Sequence, residues 1–228
     1  MAKRVILLLL LCGLAVLFYK TLTGMGPTLT LAPMSQQMVT DAPQTLGSQN
    51  VITAIVVTMR GLDTLGEVAV LFIAAAGIGF LLRKEHEHRR EMRRDGSEIL
   101  KTGARLLLPL IILFGCYIFT HGHLTPGGGF QGGVVIASGI LLFILSDVSR
   151  SVNHSLLSIS ESLSGFGYAA LGIAGFFLAA GFLDNRFLPM GTFGSLFSAG
   201  AIPVIYSFIG VKVGCELTGI FTSMQEDA

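Results

Sequence analysis

Long uncharged apolar runs, separated by short polar segments, dominate the pattern of this chain. A transmembrane helix needs about 20 mostly apolar residues to cross ~30 Å of hydrocarbon, and six runs reach or approach that length. The strands of a membrane β-barrel would instead alternate in polarity over segments of about ten residues. The pattern therefore predicts an all-α, polytopic membrane protein with about six transmembrane helices, at residues 5–19, 65–82, 103–120, 132–145, 165–183 and 196–221.

The first apolar run follows Lys3 and Arg4 and has the charge and length of a secretory signal peptide. No small-x-small cleavage site follows Tyr19, so residues 1–20 are expected to form an uncleaved signal-anchor helix. Residues 21–50 are rich in Thr, Pro, Gly and Gln and are expected to form an extracytoplasmic loop.

Lysine and arginine are distributed unequally among the polar segments. If the N-terminus lies inside, the opposite side of the membrane holds only Lys20 and Arg186. The positive-inside rule then predicts that both termini are cytoplasmic. The charged stretch 83–101 becomes a cytoplasmic linker between a transmembrane segment at 51–82 and a four-helix domain at 102–222. The cytoplasmic basic residues are Lys3, Arg4, Arg83, Lys84, Arg89, Arg90, Arg93, Arg94, Lys101 and Arg150.

Composition agrees with a membrane protein and excludes several other classes. Of the 228 residues, 52% are hydrophobic and 13% are charged, and the mean hydropathy is +0.73. A soluble domain would carry about 25% charged residues. The formal charge is only +1, and no basic cluster is paired with aromatic residues, which argues against binding to nucleic acid.

The three cysteines, Cys12, Cys116 and Cys215, all lie in apolar runs, and their spacing is that of neither a metal site nor a disulfide framework. They are therefore interpreted as small buried apolar residues. No set of cysteine ligands for an iron–sulfur cluster is present in the sequence, nor is a nucleophile triad or a phosphate loop. We expect that the chain binds no cofactor and is not an enzyme by itself.

Ionisable residues inside a membrane are costly and usually face a protein interior or a water path. The first such group is Arg60, Asp63 and Glu67, whose spacing places them on one helical face. A continuous helix over 51–82 would be about 48 Å long, so it is expected to break at Gly61 or to begin at the outer interface. Arg60 and Asp63 can form a structural ion pair, whereas Asp63 and Glu67 are also candidates for handling protons or cations.

The second group is His121 and His123, followed by a turn that contains Pro126, Gly127, Gly128 and Gly129. Proline ends the helix, and glycine permits backbone conformations closed to other residues. The turn can line an outer entrance, with the histidines relaying protons near neutral pH, or it can be a tight turn between packed helices. Two histidines without a nearby Cys or carboxylate do not complete a zinc site, so no metal is expected.

The third group is Lys212 and Glu216 in the last apolar run, one helical turn apart on one face. A Lys–Glu pair at this depth can relay protons, because burial can move such pKa values towards neutrality. It can also be a mutually neutralised structural pair.

Two stretches resemble the B-subunit domain of Mrp-type multisubunit cation/proton antiporters: ILKTGARLLLPLIILFGCYIF followed by GHLTPGGGFQGG, and LPMGTFGSLFSAGAIPVIYSFIGVKVGCEL. Upstream, NVITAIVVTMRGLDTLGEVAVLFIAAAGIGFLLR resembles the C-terminal part of the large A-type Mrp protein. The resemblance covers residues 50–222, and here the two pieces are fused. Leu124, Thr125 and Gln131 look closer to variants in archaeal and anaerobe gene clusters, which include membrane-bound hydrogenases with an Mrp-like sodium module.

The resemblance implies a membrane-arm subunit that assembles with other polytopic Mrp-type subunits in a prokaryotic plasma membrane. One hypothesis is a complex that exchanges Na+, or another monovalent cation, for H+. A second is the sodium-translocating module of a ferredoxin-dependent hydrogenase or related redox complex, and a third is a purely structural spacer.

Overall fold

A computed structural model of the protein describes residues 2–24, 32–82, 96–147 and 149–226. Every regular element in these ranges is a helix, which confirms the all-α prediction. Five of these helices are long and apolar enough to cross a membrane, and one shorter apolar helix accompanies them. The helices are α1 (Ala2–Gly24), α2 (Pro33–Thr45), α3 (Val51–Ala54), α4 (Gly61–Leu82), α5 (Glu98–Thr120), α6 (Gly129–Leu145), α7 (His154–Leu178) and α8 (Ile202–Glu226).

The described residues up to Thr40 form one compact unit, and those from Asp41 onward form a second. In the first unit, α1 extends four residues beyond the predicted anchor and ends at Gly24. The predicted loop at 21–50 contains a helix, α2, which the sequence analysis missed. Pro33 occupies the first position of α2, where its fixed φ angle suits a helix and its missing N–H costs nothing. The polar composition of this segment concealed that signal.

The second unit is built around α8, which contacts α4, α5, α6 and α7. Its buried side chains include Ile202, Ile205, Tyr206, Ile209 and Val213. Glycines allow α5, α6 and α8 to approach closely. A Cβ atom added at Gly132 would lie 2.6 Å from the Gly115 carbonyl oxygen, and one at Gly133 would lie 2.7 Å from the Gly210 carbonyl oxygen. Small residues at helix interfaces are typical of packing inside membranes.

Helix α7 differs from the predicted run 165–183 at both ends. It begins at His154, because Asn153 Oδ1 accepts hydrogen bonds from the backbone N–H groups of Ser155 and Leu156. It ends at Leu178, and the chain re-enters an α-helix only at Ile202, so the predicted start of the last helix at 196 was also wrong.

Between α7 and α8, the backbone is held in a folded loop by Asn185. Its side-chain Nδ2 donates to the Leu46 carbonyl at 3.0 Å and to the Ala199 carbonyl at 2.8 Å. Leu183 and Ala199 adopt positive φ angles of 59° and 62°, which a continuing helix does not allow. These contacts join segments distant in sequence, so hydropathy alone did not reveal them.

The segment before α4 breaks near Gly61, as the length argument predicted. Helix α3 is followed by a π-helical turn, Ile55–Met59, and α4 begins at Gly61. Of the charged linker, residues 83–95 lie outside the described residues. Its residues 98–101 belong to α5, which begins at Glu98 because Ser97 Oγ accepts a hydrogen bond from the Leu100 N–H.

Candidate functional site

Lys212 and Glu216 form an ion pair at the middle of α8. The Lys212 Nζ donates to Glu216 Oε1 at 2.5 Å. Their side chains are 12% and 1% exposed, respectively. Because α8 spans Ile202–Glu226, the two residues flank its midpoint and lie far from both helix ends. A charge at the middle of a membrane-spanning helix is costly.

A third charged residue, Glu161 of α7, completes this cluster and was missed by the sequence analysis. Its Oε1 lies 3.7 Å from Lys212 Nζ. Helices α7 and α8 run antiparallel, since Gly165 faces Lys212 and Gly219 faces Leu157 across their interface. This register brings Glu161 and Glu216 to the same level. We refer to Glu161, Lys212 and Glu216 as the charged cluster.

A cavity of about 350 Å³ adjoins the charged cluster. Lys212 and Glu161 line it, and the Lys212 Nζ lies 5.2 Å from the centre of the Phe72 ring on α4. That distance permits a cation–π contact. The other lining residues are mainly apolar: Leu65, Val68, Ala69, Ser162, Gly165, Phe166 and Tyr168. The ammonium therefore has room beside it rather than close packing on every side.

The charges in the cluster are not balanced. Two carboxylates face one ammonium, and Lys212 forms a hydrogen bond with only one of them. The second oxygen of Glu216, Oε2, is buried and has no hydrogen-bond partner among the described residues. A buried carboxylate oxygen without a partner is costly, so this position favours an additional positive charge.

The side chains of Arg60, Asp63 and Glu67 are exposed on this chain. Arg60 Nε donates to Asp63 Oδ2 at 2.6 Å, and both side chains are more than half exposed on this chain. Glu67 is also exposed, one turn further along α4, and does not line the cavity. These groups are therefore at a surface of the protein rather than in its core.

The His121–Gly129 turn is held against the segment before α4. Asn50 Nδ2 donates to the carbonyls of Gly122 and Thr125 at 2.9 and 3.0 Å, and Thr53 Oγ1 donates to the Gly122 carbonyl at 2.7 Å. The backbone carbonyl of His123 accepts hydrogen bonds from Ser48 Oγ and the Asn50 N–H, both at 3.0 Å. These hydrogen bonds hold the turn firmly against a segment that is distant in sequence.

His123 is fully buried within this turn, whereas His121 is partly exposed. The His123 Nε2 lies 3.3 Å from the Ser195 carbonyl oxygen, and Nδ1 is buried without a partner among the described residues. Burial lowers the pKa of His123 because it disfavours the charged imidazolium. A neutral ring with Nε2 protonated can donate to Ser195.

The glycines of the turn allow neighbouring atoms to approach the backbone closely. A Cβ atom at Gly129 would lie 2.6 Å from Ile209 Cβ, one at Gly127 would lie 2.8 Å from the Ile118 carbonyl oxygen, and one at Gly128 would lie 2.7 Å from Gln131 Oε1. Pro126 is exposed at the tip. Helix α6 begins directly at Gly129, so the turn places its first residues against α8.

The sequence of residues 99–219 matches a family model described as a domain related to the MnhB subunit of Na+/H+ antiporters. This match covers more than half of the chain. The chain belongs to this family. A second model, MbhE, which describes a subunit of MBH, matches residues 2–94 of this MnhB-related chain. Together the matches confirm the resemblance to Mrp-type and hydrogenase-type subunits.

Two related proteins match different shares of the MnhB-related chain. An uncharacterized protein of Methanocaldococcus jannaschii is 30% identical over 200 residues, which cover 76% of this chain and 75% of that protein. The B subunit of the Na+/H+ antiporter of Bacillus subtilis is 38% identical over 99 residues, which cover 42% of this chain and 68% of that protein. With its apolar helices, the MnhB-related chain is a multi-pass protein of a prokaryotic plasma membrane.

Two solved structures contain similar chains. One belongs to the membrane-bound sulfane sulfur reductase, an archaeal respiratory membrane complex; it is 40% identical, with a TM-score of 0.81 over 98% of both chains. The other belongs to the Mrp complex from Dietzia sp. DQ12-45-1b. It shares the fold at 22% identity and a TM-score of 0.74, over 98% of this chain and 26% of that one.

Proposed function

We propose that this chain is a membrane-arm subunit of an Mrp-type complex that exchanges Na+, or another monovalent cation, for H+. Its membership of the MnhB-related family supports the proposal, and so does its similarity to the B subunit of an antiporter. The observation that carries it is the charged cluster, because ionisable residues inside a membrane are rare and usually mark ion pathways or proton relays.

In this proposal Lys212 and Glu216 relay charge between the two halves of the membrane. The ion pair can dissociate and reform because the adjoining cavity leaves space beside Lys212. We take both termini to be cytoplasmic, as the positive-inside rule predicts from the distribution of lysine and arginine. Glu161 and Glu216 then lie in the cytoplasmic half of their helices.

We assign Glu67 a role in proton or cation handling at an interface with another polytopic subunit. Its carboxylate is exposed on this chain within an apolar helix, where lipid would be an unfavourable neighbour. Asp63 has Arg60 as a partner, whereas Glu67 needs a cation, a proton or a polar group supplied from outside the chain. The chain is therefore an obligate member of a hetero-oligomer.

We assign His123 and the glycine turn a structural role at the outer ends of α5 and α6. The ring is fully buried and neutral, and its backbone is bonded to Ser48 and Asn50. His121, partly exposed, is the histidine that can still meet an aqueous entrance.

A second candidate function is the ion-translocating module of a respiratory redox complex. It is favoured by the 40% identity over 98% of the chain to a protein of an archaeal sulfane sulfur reductase. In either assembly we infer that this chain is not catalytic by itself and holds no cofactor. Its cysteines lie in three different helices, α1, α5 and α8, and supply no cluster-binding set.

Purification of the native complex distinguishes the two assemblies. We expect other polytopic Mrp-type subunits to co-purify with this chain, and inverted membrane vesicles to show proton movement driven by added NaCl. Cluster-binding subunits in the same preparation would establish the respiratory complex. If the isolated chain were stable in liposomes and carried out cation/proton exchange there, the proposal would be contradicted.

A further inference from the structure

In the charged cluster, the positive charge of one lysine balances only one of two carboxylates. When ionised, Glu161 and Glu216 carry two negative charges, whereas Lys212 carries one positive charge. Among the described residues, the other titratable groups near the cluster are Tyr168 of α7, with Glu67 of α4 close enough to interact with it, and Cys215 of α8. A phenol and a thiol are both neutral near pH 7. One further positive charge therefore neutralises the cluster.

The geometry leaves a place for that charge. Lys212 is bonded to Glu216 Oε1 at 2.5 Å but lies 3.7 Å from Glu161 Oε1, beyond hydrogen-bond distance. Glu216 is 1% exposed, and its Oε2 has no partner within the described part of the chain. The Glu216 Oε2 and the Glu161 carboxylate are therefore both available at the same level of the antiparallel helices α7 and α8.

The surroundings suit a small hard cation. Carboxylate oxygens are the ligands that hard cations prefer, and the cavity of about 350 Å³ that Glu161 and Lys212 line leaves space for a cation beside the Glu161 carboxylate. The apolar lining lowers the local dielectric constant, which strengthens the attraction between a bound cation and the two carboxylates.

We propose that Glu161 and Glu216 form a binding site for one monovalent metal cation, and that this cation and a proton compete for it. Lys212 supplies the fixed charge that limits occupancy to one. A proton on either carboxylate and a bound Na+ neutralise the cluster equally, so binding of one releases the other. This inference rests on the proposed role in cation/proton exchange and names the residues at which the exchange occurs.

The test uses the purified native complex in a weakly buffered solution near neutral pH, with NaCl as the probe and choline chloride as the control for ionic strength. Released protons are measured with a soluble pH indicator. The variants are Glu161→Gln and, as a matched control, Glu98→Gln, which alters an 89% exposed glutamate of α5. Glu161 is 26% exposed, so its neutral variant is compatible with assembly.

We expect Na+ to release about one proton more per copy of this chain from the wild type and from Glu98→Gln than from Glu161→Gln. Cation-induced infrared difference spectra should show loss of a protonated carboxyl band in the first two complexes only. Equal proton release from Glu161→Gln and wild type would overturn the inference.

The inference and the proposed function can fail separately. Vesicles that carry out Na+/H+ exchange at the wild-type rate with Glu161→Gln would leave the proposed function intact and remove this site. Proton release that depends on Glu161, in vesicles that show no exchange, would support the site and contradict the antiporter function. Lys212→Met provides a second variant: in the complex that still assembles, the cluster should take up about one additional cation per chain, and unchanged uptake would also contradict the site.

Discussion

Lys212 Nζ lies 3.7 Å from Glu161 Oε1, although the two residues belong to different helices and are 51 positions apart in sequence. This contact turns a pair on one helix into a cluster shared by α7 and α8. It also explains the tolerance for a lysine at the middle of a membrane helix, because two carboxylates and the Phe72 ring surround the ammonium.

Glu67 should be required for transport but not for assembly. Replacing it by Gln keeps the size of the side chain and removes the charge, and Glu67 makes no ion pair on this chain within the described residues. We expect Na+-dependent proton movement in vesicles to fall several-fold at normal complex abundance. Asp63→Asn is the comparison, since its main effect should be loss of the Arg60 ion pair. Wild-type transport by Glu67→Gln would exclude Glu67 from the pathway.

The charged cluster was only partly predictable from sequence. The four-residue spacing of Lys212 and Glu216 reveals their shared face, because both lie in an obviously apolar run. Glu161 was missed because the serine-rich sequence SLLSISESLS lowers the hydropathy of the first half of α7, so the predicted span began only at Gly165. In the structure, Ser164 satisfies its hydroxyl by donating to the Ser160 carbonyl within the helix.

Tertiary contacts account for the other differences. The sequence pattern does not reveal that the side chain of His123 is buried, because its partner, the Ser195 carbonyl, is 72 residues away. The loop between α7 and α8 is held by Asn185, whose partners are Leu46 and Ala199. Hydropathy predicts which segments enter a membrane, but not which polar side chains hold the ends of those segments together.

Close packing of α6 against α8 should be sensitive to one methyl group. In Gly133→Ala the new Cβ would meet the Gly210 carbonyl oxygen at 2.7 Å, and that oxygen belongs to the backbone of a helix. We expect a loss of about 1–3 kcal/mol of stability, as for overpacking in other cores, seen as a lower melting temperature of the purified complex. Gly103→Ala is the matched control, because no described atom lies within 4 Å of that position. Identical melting of the two variants would contradict the packing.

His123 should make the complex less stable in acid. Burial lowers its pKa in the folded protein, so the unfolded chain binds a proton first as the pH falls. The contribution is therefore complete above about pH 6.5, the ordinary value for histidine, and is lost progressively below it. In His123→Gln, whose amide can still donate to Ser195, the melting temperature should decline less between about pH 7.5 and 5.5 than in wild type. A decline of the same size would indicate that other groups control acid stability.

The central claim is that the charged cluster handles protons and cations rather than merely holding helices together. Removing one member of a buried pair leaves an uncompensated charge, at a cost of about 3–5 kcal/mol. Lys212→Met should therefore reduce complex abundance, whereas Glu216→Gln leaves Lys212 facing Glu161 and should reduce it less. The double variant removes both charges, and its assembly should largely recover.

The most direct measurement is Na+-dependent proton movement in inverted vesicles that contain the Lys212→Met, Glu216→Gln double variant, with complex abundance matched to wild type by immunoblot. We predict an assembled complex with no exchange, because Glu161 alone remains of the three charged residues. Exchange at the wild-type rate by the fully assembled double variant would show that the pair is structural and would contradict the account.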